Sequence, residues 1–168
     1  VQRTPPQLCA GAGRVADMND PVSITSRDNP LLARVRRLAQ DGGAYRRVGQ
    51  VWLEGDHLCA ALRARGGTAP QALITQDAWQ VPALRALAGH AARVAVLPSA
   101  LFAGFSGLES PAGIGFVLDL PEAPPLLPDV ATVVLDRVQD AGNVGSILRS
   151  ASAFGVRQVL ALKGTAAL

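Results

Sequence analysis

The chain has 168 residues, 49% of them hydrophobic, which is enough for a packed core and excludes a chain that is disordered throughout. No apolar stretch reaches the roughly 18 residues that a membrane span needs, so we expect a soluble, cytoplasmic protein. The two cysteines and two histidines are too few and too widely spaced for a disulfide framework or a Cys/His metal site.

Positive charge is concentrated in one segment, although the formal net charge of the chain is only +3. Guanidinium groups form forked, charge-assisted bonds with phosphate oxygens, so a local excess of arginine predicts contact with a nucleic acid. A solvated helix face has the same composition, and the pattern alone leaves that alternative open. The candidate RNA-binding residues are Arg27, Arg34, Arg36, Arg37, Arg46 and Arg47.

The first 20 residues follow neither the helical nor the strand period and are rich in Gly, Pro and Ala. We therefore predict a disordered N-terminal extension over residues 1–20. Met18 is an alternative start of translation.

Short strands alternate with helices between residues 21 and 120. Asn29 and Pro30 are predicted as the N-cap and first residue of a helix, and Ser99 as the cap of a helical turn. This alternation predicts an α/β/α sandwich whose sheet is covered on both faces. The other predicted elements are strands at Gln50–Glu54, Gln71–Thr75, Arg93–Leu97 and Ile114–Leu120, and helices at Asp56–Ala64 and Pro82–Ala88.

A proline-rich segment follows this first domain. Leu120–Asp129 holds four prolines in ten residues, a composition that prevents a helix or a central strand and favours an extended spacer. We predict a linker over residues 121–129 and a second domain from residue 130.

The second domain begins with a predicted βαβ unit. Ala131–Leu135 is an unbroken apolar run, as expected for a parallel strand buried on both faces. Asn143 is the predicted cap of a helix over Val144–Phe154 that ends at Gly155, and Val156–Leu162 is the second strand. The helix face that packs on the sheet is predicted to consist of Val144, Ile147, Ala151 and Phe154.

Asn143 and Arg149 are the candidate site residues of this unit. The loop before the helix follows a parallel strand at its carboxyl end, where α/β proteins bind ligands. A helix N-terminus offers free N–H groups to a phosphate, and Arg149 lies less than two turns away. The glycine-rich fingerprints of dinucleotide and nucleoside-triphosphate sites are missing. The alternative is that both residues are purely structural.

The sequence from Val138 to Gly155, VQDAGNVGSILRSASAFG, resembles the first signature motif of the SpoU/TrmH-type RNA 2′-O-ribose methyltransferases of the SPOUT superfamily. Ala141 stands where that family most often has Pro, and Ser150 where it often has Thr. Neither difference affects Asn143 or Arg149.

The first half of the chain also resembles this family. Ile24–Leu32, Trp52–Leu58 and Ser110–Ile114 are similar to stretches of its ribosomal-protein-like substrate-binding domain, although Ala112 replaces a usual Gln. The resemblance implies an α/β chain in which this domain, residues 21–120, precedes the first βαβ part of a SPOUT methyltransferase domain, residues 130–168. The complete SPOUT domain is Rossmann-like and contains a trefoil knot.

The resemblance implies methyl transfer from S-adenosylmethionine to a ribose 2′-OH of structured RNA, with ribosomal RNA as the first expectation and transfer RNA as the second. By this resemblance Arg149 would help to deprotonate or polarise the hydroxyl and would hold the neighbouring phosphate, and Asn143 would order the same site. The family binds its cofactor in two further motifs that the chain does not reach. We therefore expect a C-terminally truncated form, inactive alone and a homodimer when full length. The alternatives are a non-catalytic RNA-binding module and a small α/β scaffold without an RNA role.

Overall fold

A computed structural model describes residues 20–166 and contains two sheets. The predicted extension, apart from Asp20, and the alternative start Met18 lie outside the described residues. The strands are β1 (Val22–Ser23), β2 (Gln50–Glu54), β3 (Gln71–Thr75), β4 (Val94–Leu97), β5 (Ile114–Asp119), β6 (Thr132–Leu135) and β7 (Gln158–Ala161). The helices are α1 (Pro30–Gln40), α2 (Ala44–Val48), α3 (Asp56–Ala64), α4 (Gln76–Trp79), α5 (Pro82–Ala88), α6 (Ser99–Ala103) and α7 (Ala141–Ala153).

The first sheet has five strands in the order β1-β4-β3-β5-β2. Strands β1, β4 and β3 are parallel, whereas β5 runs antiparallel to both of its neighbours. The central strand β3 is buried along its whole length, as expected for a strand covered by helices on both sides.

Two hydrophobic clusters lie on the two faces of this sheet. Ala72 and Ile74 of β3 belong to one cluster with the buried Cys59 of α3, while Leu73 belongs to the other with Leu32 and Val35 of α1. Successive side chains of a strand point to opposite faces, so β3 contributes to both clusters. The predicted α/β/α sandwich is confirmed.

The predicted start of α1 is confirmed in detail. The Asn29 side chain accepts a hydrogen bond from the backbone N–H of Leu31 at 2.9 Å, and Pro30 is the first helical residue. Pro is favourable there because the first N–H of a helix has no partner within the helix. The helix then buries Leu32 and Val35 completely.

The predicted role of Ser99 is wrong. Ser99 is the first residue of α6, Pro98 stands at the cap position, and the Ser99 hydroxyl donates to Asp77 Oδ2 at 2.6 Å. Because the helix already includes Ser99, its hydroxyl does not lie at the cap position, and it forms a charge-assisted hydrogen bond with the Asp77 carboxylate instead. Strand β4 begins one residue later than predicted, at Val94 instead of Arg93, and β5 ends one residue earlier, at Asp119 instead of Leu120.

The second sheet contains β6 and β7, which are parallel and joined by α7. The prediction that the first of these strands is buried on both faces is wrong, because Val134 is 54% exposed and only Leu135 is buried. Within the described residues one helix accompanies two strands, which leaves one face of the strands uncovered.

The predicted apolar face of α7 holds only in part. Val144 and Ala151 are buried and Ile147 is half-buried, but Phe154 is 86% exposed. The helix ends at Ala153, so Phe154 leaves the 3.6-residue period that would place it over the sheet. Gly155 follows in the left-handed region, φ +70°, as predicted.

The segment between β5 and β6 contains neither helix nor strand. Its Leu127 N–H donates to Gln158 Oε1 at 2.7 Å, which ties the segment to β7. In the described part of the chain, no helix is both long enough and apolar enough to cross a membrane.

Candidate functional site

Helix α7 begins three residues earlier than predicted, which corrects the role of Asn143. Asp140 is the N-cap: its Oδ1 accepts the backbone N–H of Asn143 at 2.7 Å, and the helix starts at Ala141. A carboxylate is favourable at this place because it caps free N–H groups and lies at the positive end of the helix. A side chain at Gly142 would bring its Cβ to 3.0 Å from Asp140 Oδ1, so Gly142 leaves room for the cap.

The cap at Asp140 leaves the side chain of Asn143 available. Asn143 is exposed. Its side-chain amide, unlike its backbone N–H, makes no hydrogen bond with any residue between 20 and 166. An amide can donate and accept at once. The side chain therefore offers both functions at the first turn of α7.

The side chain of Arg149 turns back along α7 toward the helix N-terminus. Its Nη2 donates to Ser146 Oγ at 3.1 Å, and the Ser146 hydroxyl donates to the Gly142 carbonyl at 2.9 Å. A Cβ on Gly145 would lie 3.6 Å from Arg149 Nη1, which places the guanidinium directly beside this glycine. Arg149 is exposed and forms no ion pair with the described carboxylates. Its charge is therefore available to an anionic ligand.

Asn143 and Arg149 lie on the same helix but not on the same line along it. Six residues correspond to about 9 Å of rise and about 240° of rotation, so the two side chains leave the helix in different directions. Only the backward turn of Arg149 brings its charged end near the first turns. The arrangement therefore suits an extended ligand, such as a sugar together with its phosphate.

Two loops close against each other at the carboxyl ends of β6 and β7. The Leu135 carbonyl accepts both the Leu162 N–H at 2.9 Å and the Thr165 hydroxyl at 3.1 Å. Gln139 Nε2 donates to the Gly164 carbonyl at 2.8 Å, and the Ala166 N–H donates to the Val138 carbonyl at 2.7 Å. These hydrogen bonds hold the two loops together, and the loops form one wall of the candidate site beside the start of α7.

The sequence-based prediction missed three residues of this arrangement. Asp140 was overlooked because Asn143 is an equally good capping residue three positions later. Ser146 supports Arg149 and could have been found from its spacing, since residues three apart are neighbours on a helix. Thr165 is 4% exposed. The only feature of the sequence that could have pointed to it is the turn-forming Gly164 before it.

The six arginines of the basic segment lie on α1, on α2 and in the turn before α1. Arg27, Arg37, Arg46 and Arg47 are exposed, whereas Arg34 and Arg36 are half-buried.

Two of these arginines have partners within the basic segment. Arg47 pairs with Asp41, whose pKa is lowered below its ordinary value by the Gly43 N–H and then by Arg47. The Arg46 guanidinium lies 5.3 Å from the Tyr45 ring centroid. No cluster of His, Cys, Asp or Glu suited to a metal ion occurs among residues 20–166.

Comparison with known proteins relates the chain to RNA methyltransferases. Residues 131–168 match the family model of the SpoU rRNA Methylase family. An uncharacterized tRNA/rRNA methyltransferase of Synechocystis is 33% identical over 147 residues, which cover 84% of this chain and 53% of that protein.

Solved structures show the same relation. A protein from Porphyromonas gingivalis assigned to the TrmH family of RNA methyltransferases is 31% identical, with a TM-score of 0.64 over 80% of this chain and 52% of that one. The fold is shared with an AdoMet-bound rRNA methyltransferase from Sinorhizobium meliloti, at 23% identity, a TM-score of 0.65, and 85% and 55% of the two chains. The chain thus spans about half the length of the relatives that it matches.

Proposed function

We propose that this chain forms part of an S-adenosylmethionine-dependent RNA 2′-O-ribose methyltransferase, since residues 131–168 match the family model of the SpoU rRNA Methylase family. Residues 21–120 form its substrate-binding domain, residues 121–129 a linker, and residues 130–168 the first part of its catalytic domain. The observation that carries the proposal is the guanidinium of Arg149, which is held by Ser146 beside Gly145 near the start of α7 and forms no ion pair with the described carboxylates.

Arg149 acts as an electrostatic group and not as a base. An arginine side chain has a pKa far above neutrality, so it stays charged and does not take a proton from the 2′-OH. A guanidinium beside the hydroxyl instead stabilises the negative charge that develops on its oxygen as the O–H bond breaks, the proton passes to solvent water and the oxygen takes the methyl group. The same fork binds the oxygens of the neighbouring phosphate.

Asn143 orders the ribose from the first turn of α7. Its amide is free to donate to one sugar oxygen and accept from another, because Asp140 performs the capping. Because the Arg149 guanidinium turns back toward the first turns of α7, Asn143 and Arg149 hold different parts of one nucleotide.

The methyl group comes from S-adenosylmethionine when it is bound. A nucleoside-sized ligand needs enclosure by several loops, and the described residues supply one wall, where the two loops are closed by bonds to Leu135 and Gly164. These residues alone do not fit the cofactor. We assign the cofactor site to the part of the related proteins that this chain does not span. Two related proteins from different organisms were solved with AdoMet bound.

The chain alone is therefore expected not to bind S-adenosylmethionine. Calorimetric titration of a monodisperse sample should show no heat above dilution. Micromolar binding would contradict this assignment of the cofactor site.

Mapping of 2′-O-methyl groups tests the proposed reaction. Ribosomal and transfer RNA from a strain of the source organism that lacks the gene is compared with RNA from the parent strain. Loss of one methylated ribose in ribosomal RNA, restored by the gene, would support the proposal, and a loss in transfer RNA would change the substrate. An unchanged map together with RNA binding would favour the non-catalytic RNA-binding module.

A further inference from the structure

A cleft at the edge of the five-stranded sheet lies apart from the start of α7. Its volume is about 270 Å³, and it lies between the first turns of α1 and the strands β1 and β4. The polar side chains that line it are Asn29, Arg34, Gln71 and Arg93. Arg93 lies outside the basic segment found in the sequence.

The cleft carries two positive charges and no negative one. None of its lining residues is Asp or Glu, and neither Arg34 nor Arg93 forms an ion pair with any carboxylate of residues 20–166. Arg34 Nε is buried and has no acceptor in that part of the chain. A buried N–H donor without an acceptor is unfavourable, and the like charges of Arg34 and Arg93 in one cleft repel each other. An anion removes both costs.

The backbone on both sides of the cleft is firmly held. Arg34 lies on α1 between the fully buried Leu32 and Val35. The Arg93 carbonyl accepts hydrogen bonds from the Ala72 N–H at 2.8 Å and from Gln71 Nε2 at 3.3 Å. The two guanidiniums thus extend from fixed positions, and only their side chains need to turn to face a ligand.

We propose that the cleft between Arg34 and Arg93 binds a backbone phosphate of the RNA substrate. The Nε–H and Nη–H groups of Arg34 form a fork that matches two phosphate oxygens, and Arg93 binds from the opposite side. This inference rests on the proposed function and extends its RNA-binding surface from α1 to Arg93, beside the edge of the sheet formed by β1 and β4.

Salt-dependent RNA binding provides the first test. In vitro transcribed ribosomal RNA is titrated with the chain and with its Arg34→Gln and Arg93→Gln variants. Each variant should bind about tenfold more weakly and flatten the plot of log K against log salt by nearly one unit. Arg85→Gln is the matched control because it removes the same charge from α5, where Arg85 lies 6.0 Å from the Trp79 ring centroid. An equal effect of Arg85→Gln would overturn the proposal, since only net charge would then matter.

Arg34→Lys separates the fork from the charge. Lysine keeps the positive charge but loses the paired donors, so we expect the salt slope of the original chain with weaker binding. Full affinity of Arg34→Lys would contradict the forked contact. Thermal melting of each variant verifies that it is folded, and the lysine variant serves if Arg34→Gln is not.

Titration with inorganic phosphate tests the cleft without RNA. In a ¹⁵N-labelled chain, the Nε–H resonance of Arg34 should shift on addition of phosphate, while that of Arg85 should stay. If phosphate shifts the Arg34 resonance but the chain does not bind RNA, the cleft is a phosphate site and RNA is not its partner. Equal responses of the two arginines, or none, would overturn the site.

Discussion

Asp140 determines what its neighbours on α7 can do. It accepts the Asn143 N–H, so the Asn143 side chain is not used for capping, and Ser146 rather than a carboxylate holds Arg149. A hydroxyl positions the guanidinium without neutralising it. The candidate site therefore combines a fixed geometry with an available charge.

Replacement of Arg149 by alanine should affect methyl transfer more than RNA binding. In a full-length homologue with the same motif, we expect RNA affinity within a few-fold of the original and a transfer rate lower by roughly 10²–10³, the effect of removing one transition-state donor. Single-turnover kinetics measure both quantities. Transfer at a near-normal rate would make Arg149 an ordinary surface residue.

Replacement of Asp140 by alanine should destabilise α7 through loss of its cap. We expect the free energy of unfolding to fall by about 1 kcal/mol, measured by urea denaturation of the chain. Asp140→Ser, which retains a capping oxygen, should recover most of the loss. Equal losses in both variants would show that the cap bond is not the cause.

At the level of elements, the bounds of helices and strands were predicted most accurately where a hydrophobic period is long and clearly bounded. The predicted bounds of β2, β3, α3 and α5 are those observed, because Gly or Pro marks at least one end of each element and the apolar spacing defines the rest. Helices α2 and α4 have five and four residues, too few to show a period, and were missed.

Features that depend on distant partners could not be predicted. Strand β1 has two exposed residues and exists only because it pairs with β4.

The start of α7 was misplaced because Asp140 and Asn143 are both good caps, and local sequence does not distinguish a helix that begins at one from a helix that begins at the other. The relation to the SpoU family was predicted from the motif at Val138–Gly155 together with three stretches of the first half, and it is confirmed by the match over residues 131–168.

Strand β5 should tolerate no side chain at Gly115. A Cβ there would lie 2.2 Å from the Trp52 ring, and the ring is held by Phe105 at a centroid distance of 5.7 Å. We expect Gly115→Ala to lower the free energy of unfolding by about 1–3 kcal/mol through overpacking. Gly107→Ala is the control, since nothing lies within 4 Å of its added Cβ. Similar stability of the two variants would contradict the close contact.

For the whole molecule, the segment between the two sheets is the expected site of first cleavage. Residues 120–129 are exposed and contain neither helix nor strand, and such segments are preferred by proteases. Limited proteolysis should cut there before it cuts either sheet, as mass spectrometry of early fragments would show. An early cut within α7 or β7 would instead indicate that the βαβ unit opens first.

The position of β5 has a consequence for synthesis on the ribosome. Strand β2 pairs only with β5 in the described sheet, although some 60 residues separate Glu54 from Ile114. A nascent chain that has emerged only as far as β4 leaves β2 without its partner and one edge of β3 open. Closing such a distant pair is slow, so the sheet is completed only after β5 has left the exit tunnel. The proline-rich segment that follows gives this first unit about ten residues of further synthesis in which to close before the apolar strand β6 appears beside it.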